Sequence, residues 1–156
     1  VSKLARLAEL NPKLPFRIHQ VALGDADGDT EFVLMQEDTM GKLAGSSFQH
    51  EREGGARFKV KLARLDTLVE SGAVPLPALV KVDVEGAEMM FLEGAARSIE
   101  RGHPAILLEY HSGPLARDCA AFLEERGYVI EWMDAGDPAG LHDSAVGHFA
   151  AVPEGR

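Results

Sequence analysis

The second half of the chain alternates between short apolar runs and longer segments with helical spacing. Residues 79–84 and 105–108 are the apolar runs, and each predicts a strand. The run at 105–108 contains no polar residue, which is typical of a central strand buried on both faces. Apolar residues recur at helical spacing from Gly86, and again from Pro114 to a stop at Gly127. The last two predicted strands are Tyr128–Trp132 and residues 146–152.

This order of elements predicts an α/β fold. A sequence of strand, helix, strand, helix, strand, strand is expected of a mostly parallel sheet with helices on both faces. The 156 residues have the length of one domain, which we place at residues 1–156.

The first half of the chain is richer in strand patterns. A capped apolar stripe predicts a helix at Ser2–Leu10, and apolar positions predict strands at residues 16–23 and 30–35. The turn signal at residues 27–28 predicts that these two strands form a hairpin. Alternating apolar and polar residues at 58–62 predict a half-exposed strand, and Asp66 is the predicted cap of a short helix after it.

Composition narrows the class of protein. Hydrophobic residues make up 46% of the chain and charged residues 26%, as in ordinary soluble globular proteins. The net charge of −9 disfavours nucleic-acid partners, because phosphates would be repelled. No apolar run approaches the roughly 20 residues of a membrane span, and no signal-like leader opens the chain. Cys119 is the only cysteine, so no intrachain disulfide can form, and we predict a cytoplasmic protein.

Polar side chains follow the two apolar runs, where each predicted strand ends. Asp83 and Glu85 lie at the end of the first run, and Glu109 and His111 lie at the end of the second. Ligands of open α/β sheets bind at the carboxyl ends of the strands, so these four residues are the predicted catalytic residues. Close carboxylates raise one another's pKa, which is a common way to prepare a general base.

Two other interpretations apply to the polar residues at these strand ends. Glu88 lies in the first turn of a predicted helix, where a carboxylate offsets the helix dipole with or without a function. Carboxylates together with a histidine suit magnesium or manganese, but nothing in their spacing selects a metal. We therefore predict a site that holds no metal ion.

Six segments of the chain occur in the order found in a known family of proteins. They are residues 21–25 (Val-Ala-Leu-Gly-Asp), Gly28, 45–47 (Gly-Ser-Ser), 65–68 (Leu-Asp-Thr-Leu), 81–88 (Lys-Val-Asp-Val-Glu-Gly-Ala-Glu) and 107–111 (Leu-Leu-Glu-Tyr-His). The chain resembles the FkbM-type methyltransferases over nearly its whole length, and the segment 81–88 is the most specific of the six.

The resemblance implies a Rossmann-like class I methyltransferase fold that binds S-adenosylmethionine and methylates a hydroxyl group. Acceptors typical of the family are sugars, glycans or natural products, so a small-molecule or glycan partner is implied. On that fold, Leu23, Gly24 and Asp25 would lie near the adenine of the cofactor. Asp83 would lie near the methionine end and the transferring methyl group.

Such a reaction needs a base for the acceptor hydroxyl. We expect Asp83, or a pair formed by Glu109 and His111, to remove the proton, so that the oxygen attacks the sulfonium methyl in line. Residues 40–57 are rich in glycine and poor in large apolar side chains. They predict a flexible loop that closes over the acceptor.

The resemblance also implies parts that this sequence does not contain. The family's glycine-rich turn after the first strand and its acid after the second strand are absent, so we expect a fold lacking the first strand-helix-strand unit, about 30 residues long. The strand at 16–23 would then have no route to the rest of the sheet, and exposed edges favour association. We expect an N-terminally truncated domain whose edges a homo-oligomer would cover.

Two alternatives stay open: a catalytically inactive binding or oligomerisation module, and a nucleotide- or nicotinamide-binding α/β protein.

Overall fold

The computed structural model describes residues 2–34, 41–43, 56–134 and 146–155. Within these ranges the chain forms five helices and eight strands. In chain order they are α1 (Ser2–Leu10), β1 (Ala22–Leu23), β2 (Gly28–Leu34), β3 (Gly41–Leu43), β4 (Arg57–Ala63), α2 (Leu65–Glu70), β5 (Leu79–Val82), α3 (Glu88–Gly94), α4 (Ala96–Gly102), β6 (Ala105–Tyr110), α5 (Gly113–Glu124), β7 (Tyr128–Trp132) and β8 (Gly147–Pro153). None of the described helices has the length and apolar character that crossing a membrane requires.

The strands form two four-stranded sheets of mixed direction. The first has the order β1-β4-β2-β3, and the second has the order β5-β6-β8-β7. Among the described strands, β1 with β4 and β5 with β6 are the parallel pairs, and the other pairs are antiparallel. The prediction of a mostly parallel sheet is therefore wrong. A parallel pair needs a crossover of roughly a dozen residues or more, whereas only residues 35–40 join β2 to β3.

The second sheet has a buried face along its two central strands, β6 and β8. Along β6, the buried residues Ile106, Leu108 and Tyr110 alternate with half-buried ones, and β8 alternates in the same way. The buried face packs against α3 and α5, which also contact each other. The prediction that residues 105–108 are buried on both faces is wrong, because the other face is only partly covered by the described residues.

The first sheet departs further from the predicted pattern. β1 contains two residues, whereas the pattern predicts a strand over residues 16–23. β4 lies between β1 and β2, so the predicted hairpin is also wrong. The carboxylate of Asp27 accepts hydrogen bonds from the backbone N–H of Arg64 at 3.0 Å and from the Thr67 hydroxyl at 2.7 Å. The turn is thus tied to the start of α2, not to a strand partner.

Part of the predicted loop at residues 40–57 is a strand. β3 lies inside this segment and pairs antiparallel with β2, so the loop prediction is wrong there. Residue 40 and residues 44–55 lie outside the described residues.

Two helices replace the single helix that the spacing from Gly86 predicts. α3 ends at Gly94 and α4 begins at Ala96, with Ala95 between them. Gly94 packs directly on the backbone of Gly24, and a Cβ atom at position 94 would overlap the Gly24 carbonyl oxygen. The C-terminal end of α3 is therefore held against the first sheet, just after β1.

Asp66 caps a helix, but not the one that its position predicts. It lies in the first turn of α2, is 1% exposed, and makes no cap there. Its carboxylate instead accepts the backbone N–H groups of Arg97 at 3.2 Å and Ser98 at 2.8 Å, at the start of α4. Burial acts to raise the pKa of Asp66, but the hydrogen bonds from Ser98 and Arg97 outweigh it and lower the pKa below its ordinary value. Asp66 thus joins α2 to α4.

We expect Asp66→Asn to lower the free energy of unfolding by about 2 kcal/mol, because an amide accepts these N–H groups less strongly than a carboxylate. Chemical denaturation at neutral pH measures the loss. Glu70→Gln is the matched control, since Glu70 pairs with the same Arg97 at the surface, and its loss should cost less than about 1 kcal/mol. Because the folded-state pKa of Asp66 lies below 3.8, its contribution is complete above pH 3.8 and is lost as the pH falls through the folded-state value. Equal losses in the two variants would contradict the capping role.

Candidate active site

The parallel pairing of β5 with β6 brings two strand ends to one edge of the second sheet. Val82 lies opposite Leu108, so the residues that follow, Asp83 and Glu109, emerge side by side. His111 comes one residue after β6 and is 8% exposed. The predicted convergence of the two strand ends is confirmed.

The loop after β5 turns sharply back toward β6. Glu85 and Gly86 have φ angles of 50° and 87°, both in the left-handed region. For a residue other than glycine this conformation costs on the order of 1–3 kcal/mol, and such strain is concentrated at functional sites. The turn carries Glu85 Oε2 to 3.2 Å from His111 Nε2. It also aims the backbone N–H of Gly86 at Glu88 Oε1, 3.0 Å away.

Glu88 is a residue of this site that sequence reasoning did not assign to catalysis. It is 0% exposed, and its Oε1 atom lies 2.7 Å from His111 Nδ1. A signal for this contact is present in the sequence, because Glu88 lies one helical turn before the buried residues Phe91 and Leu92. A carboxylate on the apolar stripe of a helix requires a buried polar partner.

The carboxylates around His111 determine its protonation. Burial lowers the pKa of His111, but the hydrogen bond with Glu88 and the charges of Glu88, Glu85 and Glu109 raise it more, to above its ordinary value of 6.5. Burial also raises the pKa of Glu85, and the neighbouring carboxylates add to this effect while His111 opposes it. Both groups therefore bind a proton more tightly than the same groups do in water.

Asp83 and Glu109 share a cation from this chain. Lys81 Nζ lies 2.7 Å from Asp83 Oδ2 and 3.8 Å from Glu109 Oε2. The hydrogen bond to Asp83 raises the pKa of Lys81 above its ordinary value. Ligand atoms of Asp83, Glu109 and His111 lie within 4.8 Å of one another, as in a site that could hold a metal ion. The Lys81 ammonium already supplies positive charge to two of these three groups.

A second histidine extends the rim on its other side. In the antiparallel pairing of β6 with β8, His148 lies opposite Glu109, and its Nε2 atom is 3.4 Å from Glu109 Oε2. Asp134 accepts hydrogen bonds from the backbone N–H of His148 at 2.8 Å and contacts its Nδ1 atom at 2.7 Å. No spacing in the sequence points to His148, because its place depends on β8 inserting between β6 and β7.

The residues predicted to contact the adenine lie at the other end of α3. Leu23 is partly buried against the core, and Gly24 is buried between Leu62 and Gly94. Asp25 is exposed. The seven residues of α3 span about 10 Å at the usual rise per residue, so this group and the His111 rim lie at opposite ends of one short helix.

Comparisons with known proteins agree on one family. The chain matches the model of the methyltransferase FkbM domain over residues 3–130. It is 39% identical over 122 residues to the hexuronic acid methyltransferase AglP of Haloferax volcanii, a match that covers 77% of this chain and 48% of that protein. The chain thus spans about half the length of this curated relative.

The fold gives an independent comparison. The crystal structure of methyltransferase FkbM from Methylobacillus flagellatus KT matches with a TM-score of 0.56 and 15% identity, covering 96% of this chain and 33% of that chain. At this identity the likeness shows the fold alone. Because the family model covers most of the chain, the chain belongs to the FkbM methyltransferase family.

Proposed function

We propose that this protein is an S-adenosylmethionine-dependent O-methyltransferase that acts on a hydroxyl of a sugar, a glycan or a natural product. The observation that carries the proposal is a buried histidine among carboxylates at the strand ends of a chain from this family. The name of the Haloferax relative favours a sugar acid among the acceptors.

The base in this proposal is His111. Its Nε2 atom faces Glu85 at 3.2 Å and Glu109 at 4.0 Å, and both of these side chains reach the surface of the rim. A hydroxyl that enters between the two carboxylates would meet Nε2 and give up its proton there. Asp83 is the weaker candidate, because its Oδ2 atom already accepts a hydrogen bond from Lys81 and its side chain is 40% exposed.

The rim suits the cofactor by charge. Four carboxylates meet there, on Asp83, Glu85, Glu88 and Glu109, with Lys81 as the permanently charged cation beside them. Such an excess of negative charge attracts a sulfonium cation. When bound, S-adenosylmethionine supplies an electrophilic methyl group. In this proposal, exposed Asp83 lies toward its sulfonium end.

The adenine end of the cofactor belongs to the segment after β1. Asp25 is the member of the predicted trio with an exposed, polar side chain, so it would hold polar groups of the nucleoside. Leu23 would offer apolar contact, whereas Gly24 is taken up by its packing against Gly94. The two ends of the cofactor would then lie at the two ends of α3.

Replacing His111 by Gln should lower kcat/KM by about 10²–10⁴-fold, because the variant lacks the base. Methyl transfer from S-adenosylmethionine to methyl glucuronide, followed by mass spectrometry, measures this. His19→Gln, an exposed histidine outside the rim, is the matched control and should retain wild-type turnover. Undiminished turnover in His111→Gln would remove His111 from the mechanism.

Replacing Asp83 by Ala should weaken the binding of S-adenosylmethionine, with a smaller effect on kcat, because Asp83 lies toward the sulfonium and is not the base. Calorimetry gives the affinity, and steady-state kinetics gives kcat. Wild-type affinity in the variant would contradict the contact. If the wild-type chain shows no binding at all, the inactive binding module becomes the better account.

The rate should rise with pH and should not depend on a divalent ion. A base acts when it is unprotonated, so kcat/KM should increase as the pH rises through the pKa of His111, above 6.5.

Chelation with EDTA should leave turnover unchanged, because Lys81 supplies the cation at Asp83 and Glu109. Turnover that is lost with EDTA and restored by magnesium would show a metal-dependent site instead.

A further inference from the structure

We propose that Glu88 is a positioning residue: it holds His111 in the tautomer with its proton on Nδ1, so that the lone pair of Nε2 faces the rim. The inference rests on the proposed function, because it assigns Glu88 a part in preparing His111 as the base.

The geometry at Nδ1 sets the direction of the hydrogen bond. Glu88 Oε1 lies 2.7 Å from Nδ1 of His111 and also accepts the backbone N–H of Gly86 at 3.0 Å. An ionised carboxylate can only accept, and one of its oxygens has room for two donors. The imidazole then donates from Nδ1, because Glu88 Oε1 at 2.7 Å is the closer carboxylate and Glu85 Oε2 lies 3.2 Å from Nε2. The neutral ring carries its lone pair on Nε2, on the side of Glu85.

The carboxylate is held by the fold. Glu88 is the first residue of α3 and lies on the side of the helix that carries Phe91 and Leu92 into the core. α3 packs against both α5 and β6. With Glu88 at 0% exposure and His111 at 8%, water has little room to replace either partner.

The second carboxylate oxygen of Glu88 adds nothing that compensates the charge of the group. Oε2 is buried and has no hydrogen-bond partner among the described residues. Few groups around Glu88 can therefore compensate its charge, and His111 is the one in closest contact. When Nε2 takes up a proton, the resulting imidazolium is stabilised by a carboxylate that needs no rearrangement.

Titratable groups surround His111 on every packed element, and three of them raise its pKa: Glu88 on α3, Glu85 after β5 and Glu109 on β6. The other titratable groups nearby are Lys81 on β5, Asp83 after it, the uncharged thiol of Cys119 on α5, Asp134 after β7 and His148 on β8. Within this set, Glu88 is the group at Nδ1, whereas Glu85 and Glu109 approach Nε2. Glu88 is thus placed to fix the tautomer, and Glu85 and Glu109 raise the affinity of the ring for a proton.

Burial makes a carboxylate costly at position 88. The helix dipole and the hydrogen bond from the Gly86 N–H offset part of this cost. An acid on the apolar stripe of a helix must still be desolvated, and replacing a buried ion pair by apolar residues is often neutral or stabilising. The hydrogen bond with His111 gives a further reason for a carboxylate here.

The first test is the tautomer itself, read from the ¹⁵N chemical shifts of the His111 ring in the full 156-residue chain. We expect a proton on Nδ1 and none on Nε2 in the neutral ring. In Glu88→Gln, whose amide can donate as well as accept, we expect a mixture of tautomers and a lower pKa of His111. Glu93→Gln, an exposed acid on the same helix, should match the wild type. A wild-type ring with its proton on Nε2 overturns the proposal, whether or not the variant folds.

The second test is kinetic, with S-adenosylmethionine and methyl glucuronide. Glu88→Gln should lower kcat by about 10²–10⁴-fold with little change in KM, and the acid limb of its pH profile should move to lower pH. A wild-type pH profile in an otherwise slowed variant would mean that Glu88 is merely structural. If the wild-type chain transfers no methyl group while the Nδ1 tautomer is found, the proposed function fails and the assignment of Glu88 to the tautomer stands.

Discussion

The parallel contact between β5 and β6 is the interaction on which the candidate site depends. Its register, with Val82 opposite Leu108, places the two strand ends at the same height. Glu85, in the loop after β5, and Glu109, near the end of β6, can then approach one imidazole. A shift of one residue in this pairing would turn the side chains of one strand to the opposite face and separate the groups.

The second half of the fold follows from local pattern to a large extent. The helix from Pro114 and the strand at Tyr128–Trp132 lie where their patterns predict them, and Ser112 caps α5 by accepting the N–H of Leu115. The direction of the strands could not be predicted from the apolar pattern. An apolar period gives the same signal in parallel and antiparallel sheets, and the insertion of β8 between its neighbours depends on tertiary packing.

The candidate site shows the same division between local and distant information. The grouping of four residues could be predicted, because the ends of strands are visible in the sequence. These residues are Asp83, Glu85, Glu109 and His111. Glu88 and His148 were not predicted as catalytic residues, because their roles depend on partners 23 residues away for Glu88 and, for His148, on the strand order. The spacing of Glu88 from Phe91 and Leu92 indicates that its carboxylate is buried, but it does not identify the histidine that faces it.

The contact between Gly94 and Gly24 has a consequence for how the site is located in space. The strands of the two sheets are not hydrogen-bonded to one another among the described residues, so no ladder fixes their distance. α3 supplies that reference instead, because its last residue is seated on the backbone after β1 and its first residue grips His111. The length of the helix sets the distance between these two contacts. The position of His111 beside the second sheet is thereby fixed relative to the end of β1 in the first sheet.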